Sequence, residues 1–352
     1  MAVTRLRPVF GGMDELLERG EPLFRALSGA HIFLTGGTGF FGRWLLEAVH
    51  SAGARLGVDI CVTVISRDPR RFASAVPHLA DASWLTLELG DVRDFDLPRQ
   101  HFSHLIHAAT DTSARAAAKP LERLDSMVMG TRRVLDFAVD CHIQDGLLTS
   151  SGAVYGQTGA GRNGVSELSL AACDCSNPDS DYAEGKRMAE LMCALVGREN
   201  GLKMRIARCF SFAGPGLPLR GHFAVGNFVA DALAGNVIRV RGDGRPIRSY
   251  LYAGDLVLWL LTILLRGDAL RPYNVGSDRP MSIREIAERV RDLLAPATSV
   301  VIQTEVTGGS VSYYLPNIER ARRELGLDVW TDFDDAVHYM ADWSRSKSEG
   351  LK

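Results

Sequence analysis

The sequence lacks several features that would indicate a metal centre, a nucleic-acid partner or a membrane anchor. Its six cysteines include no C-x-x-C pair, and scattered thiols of this kind are typical of a protein kept reduced in the cytoplasm. The formal net charge is only −2, which removes the main electrostatic reason to expect a nucleic-acid partner. The apolar run at residues 256–265 is too short to cross a bilayer, and no apolar run follows Arg5 and Arg7 as in a signal peptide. We therefore expect a cytoplasmic protein with no nucleic-acid partner and no membrane partner.

A metal site is also not expected. His101, His104 and His107 recur at every third position, but they approach and enter a predicted strand, where alternate side chains point to opposite faces. Their rings therefore cannot easily converge on one ion.

Strands and helices alternate along most of the chain. This alternation predicts an α/β fold, a Rossmann-type doubly wound parallel sheet with a smaller C-terminal substrate-binding lobe. Six short apolar runs predict the strands, at residues 32–34, 60–65, 84–89, 105–107, 147–149 and 204–207.

We divide the chain into three parts on this pattern. Residues 1–30 form an N-terminal helical extension, with an interruption expected around Gly20 and Pro22. Residues 31–210 form the Rossmann domain. Residues 211–352 form mainly the substrate-binding lobe, with some segments returning to the Rossmann domain.

A glycine-rich turn follows the first predicted strand and leads into a helix. Glycine lets the backbone turn tightly and approach a pyrophosphate, while the helix start offers free N–H groups. The position of the turn predicts a dinucleotide site; the alternative is a purely structural turn. The predicted binding residues are Gly36, Thr38, Gly39, Phe40, Phe41 and Gly42.

The residues after the second and third strands bear on the choice between NAD and NADP. An acid after the second strand would bind the ribose 2′-hydroxyl of NAD, but Ser66 and Arg67 stand there. These residues suit a 2′-phosphate and so favour NADP slightly. If Arg67 is only a solvated surface residue, the cofactor is equally well NAD. Asp91, followed by Val92, is predicted to accept a hydrogen bond from the adenine amino group.

A tyrosine and a lysine four residues apart carry the predicted chemistry. Tyr182 and Lys186 share one face of a predicted helix. A cation beside a phenol lowers the pKa of the phenol and makes it a base near neutral pH. Ser151 ends the fifth strand, at the sheet edge where such folds bind ligands, and is expected to meet Tyr182 across the substrate.

Taken together, these motifs resemble those of the extended short-chain dehydrogenase/reductases, and among them the nucleotide-sugar epimerase/dehydratase family. The resemblance covers roughly residues 31–340. Its elements, in chain order, are the glycine turn, His107-Ala108-Ala109, Gly130-Thr131, Ser150-Ser151 with Val154-Tyr155-Gly156, Tyr182 with Lys186, Gly214-Pro215, Gly242-Asp243-Gly244 with Arg248, and Tyr273-Asn274-Val275-Gly276.

The resemblance implies roles for individual residues. Tyr182 is the general acid or base, Lys186 holds the nicotinamide ribose, and Ser151 hydrogen-bonds the reacting sugar oxygen. Arg248 holds the nucleotide pyrophosphate, a task that suits guanidinium. Further cofactor contacts are Ala108, Ala109 and Thr149, and further substrate contacts are Gly152, Ala153, Ser211, Phe223 and Asn227. The substrate is a nucleotide sugar, and the family implies a homodimer.

Departures from the family pattern bear on the reaction. Gly152 and Ala153 stand where the family's 4,6-dehydratases carry Asp-Glu and where its decarboxylases carry a glutamate, so both reactions are disfavoured. Ser211 and Met127 stand where asparagine is usual, which concerns the substrate pose. The leading prediction is an epimerase that acts through a transient ketone, at C4 as the resemblance implies. An NADPH-dependent 4-keto-sugar reductase and a non-catalytic NAD(P)-binding regulator remain as alternatives.

Overall fold

A seven-stranded parallel sheet forms the centre of the computed structural model, which describes residues 10–96, 100–156, 161–170, 172–221, 223–304 and 310–349. The strands are β1 (His31–Thr35), β2 (Cys61–Ser66), β3 (Leu85–Leu89), β4 (His104–His107), β5 (Asp145–Ser151), β6 (Lys203–Cys209), β7 (Phe212–Ala213), β8 (Ile238–Val240), β9 (Ile247–Arg248), β10 (Leu251–Tyr252), β11 (Pro272–Val275), β12 (Met281–Ser282), β13 (Val300–Ile302) and β14 (Tyr313–Tyr314). The helices are α1 (Met13–Ala26), α2 (Phe40–Leu56), α3 (Pro69–Ala75), α4 (Pro77–Ala80), α5 (Ala114–Ala117), α6 (Pro120–Asp140), α7 (Asp181–Asn200), α8 (Ala224–Leu233), α9 (Ala253–Arg266), α10 (Ile283–Leu294), α11 (Glu319–Leu325) and α12 (Phe333–Glu349).

The strand order of the main sheet is β11-β6-β5-β4-β1-β2-β3. The chain moves outward from β1 to β3 and then returns to place β4 on the other side of β1. This reversal creates a crevice at the carboxyl ends of β1 and β4, where doubly wound folds bind ligands. The Rossmann-type parallel sheet predicted from the sequence is therefore confirmed.

The seventh strand comes from the C-terminal part of the chain. β11 pairs in parallel with β6, with Tyr273 opposite Ala207. Small sheets complete the remainder: β9 pairs with β12 and β14, and β8 pairs with β13. The pairing of β9 with β14 places Tyr314 beside Arg248, which matters for the site described below.

The N-terminal helix differs from the expectation in one respect. Leu16, Leu17 and Phe24 of α1 are buried, and α1 runs through Gly20 and Pro22 without the expected interruption. Gly20 is needed for close packing, because a Cβ at this position would lie 2.7 Å from the Leu258 side chain on α9. Tertiary packing against α9 and α2 thus overrides the weak local propensity.

The apolar run that was too short for a membrane forms the buried helix α9. Its residues from Ala253 to Leu264 are buried, and Asp255 near its start accepts hydrogen bonds from the backbone N–H groups of Trp330 and Thr331. Within the described ranges, no helix combines the length and apolarity needed to span a membrane.

Candidate active site

The glycine turn after β1 has the geometry of a phosphate cradle. Gly36 adopts a left-handed φ of 75°, and a Cβ there would lie 2.6 Å from the backbone of Ala108 after β4. Gly39 begins α2 without a side-chain cap, so the first N–H groups of the helix point outward. A Cβ at Gly39 would approach only the carbonyl oxygen of Gly36, at 3.3 Å. The turn therefore leaves space and positive helix dipole for a pyrophosphate, which fits the predicted dinucleotide.

Other predicted cofactor residues surround this turn. Thr38 is exposed, and Phe40 and Phe41 are partly buried at the start of α2. Ala109 donates its backbone N–H to Thr35 Oγ1 at 3.2 Å, which ties the end of β4 to the end of β1. These residues line the crevice that the strand order creates.

The residues expected near the adenosine ribose are at the ends of β2 and β3. The Ser66 side chain accepts a hydrogen bond from the Asp68 backbone, and Arg67 is mainly exposed, 3.4 Å from the Asp111 carboxylate. The Arg93 guanidinium hydrogen-bonds Asp91 and holds the pKa of that carboxyl below its usual range. Val92 packs against Gly130 on α6, where a Cβ would lie 2.7 Å from its side chain.

Arg67 provides a test of cofactor preference. If its guanidinium binds a 2′-phosphate, Arg67→Ala should weaken NADP binding about tenfold, the scale of one partly exposed charge-assisted hydrogen bond, and leave NAD binding nearly unchanged. Calorimetry with both dinucleotides measures this, and Arg70→Ala on α3 is the control for a general loss of positive charge. Tighter binding of NAD than of NADP by the parent protein would contradict the tilt to NADP.

Ser151, the first of the three predicted catalytic residues, is buried at the end of β5. Its Oγ accepts the backbone N–H of Ala153 at 3.1 Å and so caps the short 3-10 helix Gly152–Tyr155. The same hydroxyl also acts on the phenol of Tyr182, since it opposes the rise that burial causes in the pKa of that phenol. The structure therefore brings Ser151 and Tyr182 together, although 31 positions separate them in the sequence.

Lys186 lies one turn after Tyr182 on α7 and is buried. Its Nζ donates to Thr110 Oγ1 and to the Thr149 carbonyl oxygen, both at 2.7 Å. Burial lowers the pKa of Lys186 to about 8. The ammonium is thus anchored at the cofactor crevice, between the ends of β4 and β5.

Burial and the neighbouring side chains act on the ionisation of Tyr182 in opposite directions. Burial raises the pKa of the Tyr182 phenol, and the hydrogen bond from Ser151 and the charge of Arg123 oppose that rise. Lys186 is directed to Thr110 and Thr149 instead. The expectation that Lys186 lowers the pKa of Tyr182 therefore stays a prediction. Among the described residues, the guanidinium of Arg123 lies over the Tyr182 ring, 5.6 Å from the ring centroid.

Two further residues at this site were missed in the sequence. Tyr314 on β14 places its hydroxyl 3.4 Å from Ser151 Oγ, and Arg123 on α6 reaches Tyr182. No motif marks either position, because each lies more than 50 positions from the residue that it contacts. Arg123 reaches the site because α6 packs on α7, and Tyr314 reaches it because β14 pairs with β9.

Aromatic side chains occupy the space beside Gly152, one of the two positions where the resemblance implies an acid in dehydratases. A Cβ at Gly152 would lie 2.6 Å from the Phe210 ring, so that ring occupies the space of a side chain. Phe210 in turn packs against Tyr314 with the two rings tilted by 40° and their centroids 4.9 Å apart. An aromatic wall of Phe210 and Tyr314 thus stands beside Ser151 in place of a carboxylate.

The predicted substrate residues are found at several points around the crevice. Arg248 on β9 is partly buried, 5.9 Å from the Tyr314 ring centroid, and among the described residues it forms no ion pair with a carboxylate. Ser211 lies between β6 and β7, and its carbonyl oxygen accepts the Leu251 N–H. Asn227 on α8 binds its own loop: its Nδ2 donates to the carbonyl oxygens of Gly221 and Phe223. The Asn227 side chain therefore shapes that loop, and its direct contact with a substrate remains a prediction.

The histidine series shows why its spacing does not build a metal site. His107 is buried, and its two ring nitrogens lie 2.7 Å from Thr35 Oγ1 and 3.1 Å from Thr131 Oγ1. Burial lowers the pKa of His107 to about 3, so the ring is neutral. In the part of the chain that the structure describes, no group of histidine, cysteine or acidic side chains is arranged to hold a metal ion.

A buried polar network supports the floor of the site. Glu190 on α7 forms a two-point ion pair with Arg208 on β6, and Arg208 donates to the Tyr155 hydroxyl at 3.0 Å. That hydroxyl donates to Asn274 Oδ1 on β11 at 2.7 Å. The network links α7 to β6, to the 3-10 helix that contains Tyr155, and to β11, and it accounts for Tyr155 as a structural residue.

Fold and site together define a dinucleotide-binding protein with a serine, tyrosine and lysine at the switch point of a parallel sheet. A model of the NAD dependent epimerase/dehydratase family matches residues 32–276, and the chain belongs to this family. The resemblance stated from the motifs is confirmed.

Individual relatives catalyse different reactions. UDP-glucuronic acid decarboxylase 6 of Arabidopsis thaliana is 32% identical over 217 residues, which is 59% of this chain and 60% of that protein. The chain thus spans about three fifths of the length of this curated relative. Among solved structures, the Streptomyces venezuelae dTDP-glucose 4,6-dehydratase DesIV, with NAD bound, is 26% identical, with a TM-score of 0.75 over 91% of this chain and 98% of that chain. The Thermotoga maritima UDP-glucose 4-epimerase, with UDP-glucose, is 20% identical and shares the fold, with a TM-score of 0.76 over 90% of this chain and 99% of that chain.

Proposed function

We propose that this chain is an NAD(P)-dependent nucleotide-sugar epimerase that inverts one sugar carbon, C4 in the family's usual chemistry, through a transient ketone. The observation that carries the proposal is that the Phe210 ring fills the space of a side chain at Gly152, next to Ser151. The Ser151 hydroxyl also acts on the ionisation of the Tyr182 phenol. The hydroxyl and phenol needed to move one proton are present. A side-chain acid for a second proton transfer is missing at Gly152 and Ala153.

The residues support a simple division of labour. Ser151 hydrogen-bonds the reacting sugar oxygen, and Tyr182 accepts its proton as the carbon is oxidised and returns it after the ketone is reduced. Lys186, held by Thr110 and Thr149, orients the nicotinamide ribose. The bound nicotinamide supplies the hydride acceptor and donor. Arg248 offers a partly buried positive charge to the nucleotide phosphates.

A decarboxylase is the second candidate, because the curated relatives include UDP-glucuronic acid decarboxylases. Oxidation at C4 makes a carboxyl group on C5 a β-keto acid. Its loss of carbon dioxide leaves an enolate, which takes up a proton at C5 before the ketone is reduced, and Gly152 and Ala153 supply no side-chain acid for that proton. A 4-keto-sugar reductase and a non-catalytic regulator use the same cofactor cradle. Turnover of a nucleotide sugar separates the regulator from the enzymes, and the products separate the enzymes from one another.

The experiment is a product analysis, with the prediction that no water is lost across C5 and C6. Elimination needs removal of the C5 proton and protonation of the leaving hydroxyl, beyond the Tyr182 step. Enzyme and NAD or NADP are incubated with UDP-, dTDP- and GDP-hexoses and with UDP-glucuronic acid, and products are followed by mass spectrometry and sugar chromatography. An isomer of unchanged mass supports the epimerase, and loss of carbon dioxide supports the decarboxylase. A 4-keto-6-deoxy sugar, lighter by about one water, would overturn the assignment.

We also propose a homodimer formed by α6 and α7. These helices pack against each other and leave large apolar side chains exposed, since Met129, Met188 and Leu191 are 56%, 43% and 52% exposed. Met188, Leu191 and Leu195 follow one helical face of α7. Light scattering should give twice the mass of the 38.4 kDa chain. Leu191→Glu should halve that mass, whereas Leu170→Glu, at a residue that is 97% exposed, should not. A monomeric parent would contradict the proposal.

A further inference from the structure

Arg123 is held firmly beside the Tyr182 ring. Its Nε and one terminal nitrogen donate to the two carboxylate oxygens of Asp181, at 2.7 and 2.5 Å. Both side chains are largely buried, with 14% and 9% exposed. Because Asp181 begins α7 and directly precedes Tyr182, the ion pair fixes the guanidinium over the phenol ring. A two-point arginine–carboxylate pair is geometrically specific, so this placement is not that of a freely rotating surface charge.

The packing of the two helices extends this arrangement. Met127, one turn after Arg123 on α6, packs against Gly185 on α7, where a Cβ would lie 2.4 Å from its methyl carbon. The equivalent positions on the preceding turn are Arg123 and Asp181. Close approach at Gly185 therefore sets how near Arg123 comes to Tyr182.

The groups facing Tyr182 come from every neighbouring element. Burial raises the pKa of the phenol most, Ser151 on β5 and Arg123 on α6 lower it, and Cys209 on β6 raises it. Tyr314 on β14 is a second neutral phenol nearby. On α7 itself, the Lys186 ammonium is directed to Thr110 and Thr149. Two carboxylates, Asp181 and Asp111, act on Arg123 and reduce the charge it presents.

We propose that Arg123, anchored by Asp181, is a positioning residue that stabilises the phenolate form of Tyr182 and thereby sets the pH at which the enzyme works. A cation within about 6 Å favours the charged form of an acid, and a partly buried site is screened less than a surface. This role of Arg123 is separate from that of Lys186, which is held by Thr110 and Thr149 where the proposed function places the cofactor ribose. The kinetic consequence rests on the proposed function, whereas the ionisation of Tyr182 does not.

The test is therefore made first without substrate. The ultraviolet absorbance of tyrosinate is titrated in the parent and in Tyr182→Phe, and the difference isolates the ionisation of Tyr182. Arg123→Gln should raise the apparent pKa of that ionisation by about one unit, and Arg123→Lys, which keeps the charge, should restore most of the shift. An unchanged titration in a folded Arg123→Gln protein would overturn the proposal. If this variant does not fold, Arg123→Met, which has an unbranched and uncharged side chain, is titrated in its place. An unchanged titration of that variant would overturn the proposal in the same way.

Kinetics then tests the working consequence with whichever sugar nucleotide is turned over. The rise of kcat with pH should move upward in Arg123→Gln by the same amount as the titration. A loss of kcat that is equal at all pH values would assign Arg123 a merely structural role. If no sugar nucleotide is turned over, the proposed function fails, and the titration still decides the assignment of Arg123.

Discussion

Tyr182→Phe is expected to lower turnover by about 10²-fold or more, the scale of a lost general acid or base. The substitution removes the oxygen that meets Ser151 and keeps the ring under Arg123. Folding and dinucleotide affinity should therefore be nearly unchanged, because Lys186 keeps its bonds to Thr110 and Thr149. Steady-state kinetics gives kcat, and calorimetry gives the dinucleotide affinity.

Tyr155→Phe is the matched control, since Tyr155 is a buried tyrosine in the 3-10 helix that directly follows β5. Its hydroxyl bonds Arg208 and Asn274, away from Ser151. Its loss leaves buried partners unsatisfied and should destabilise the fold by about 1–3 kcal/mol, with kcat largely kept. Near-normal turnover by Tyr182→Phe would contradict the acid/base assignment, and a comparable loss of turnover in Tyr155→Phe would show that the network acts in catalysis.

The sequence predicts most of the sheet because its strands are short apolar runs between clear breaks. β1, β2 and β4 lie where the runs at residues 32–34, 60–65 and 105–107 place them. β11 is different, because Tyr273 and Asn274 were noted as a motif and not as a strand. It joins the sheet by pairing with β6, more than 60 positions earlier, and local periodicity does not contain such a distant pairing.

Within the site, the sequence predicts contacts that are local or tied to one motif. Tyr182 and Lys186 share a helix face because of their four-residue spacing. The direction of the Lys186 ammonium depends on Thr110, which follows β4, and on Thr149, which lies on β5. The same limit explains why Arg123 was missed, since its contact with Asp181 spans 58 positions. Spacing identifies the residues of a site better than it identifies the charges that act on each of them.

Gly42→Ala is expected to have the second large effect, on the cofactor cradle. A Cβ at Gly42 would lie 2.3 Å from the Gly37 Cα and 2.4 Å from the Gly36 carbonyl oxygen. Both neighbours are backbone atoms of the phosphate turn, which cannot rotate away as a side chain does. The steric overlap can be removed only if the turn moves away from the start of α2. The N–H groups that are expected to face the pyrophosphate would then lose their alignment.

The expected result is a loss of NAD(P) affinity of about tenfold or more, with a fall in stability of about 1–3 kcal/mol from overpacking. Gly53→Ala on the same helix is the control, because its Cβ would meet only the Val58 carbonyl oxygen at an ordinary 3.5 Å. That change should stabilise α2 by about 0.5–1 kcal/mol and leave affinity unaltered. Calorimetric titration measures the affinity, and urea denaturation without cofactor measures the stability. If Gly42→Ala binds NAD and NADP as the parent does, the turn after β1 is not the phosphate site, and the cofactor must be held elsewhere in the crevice.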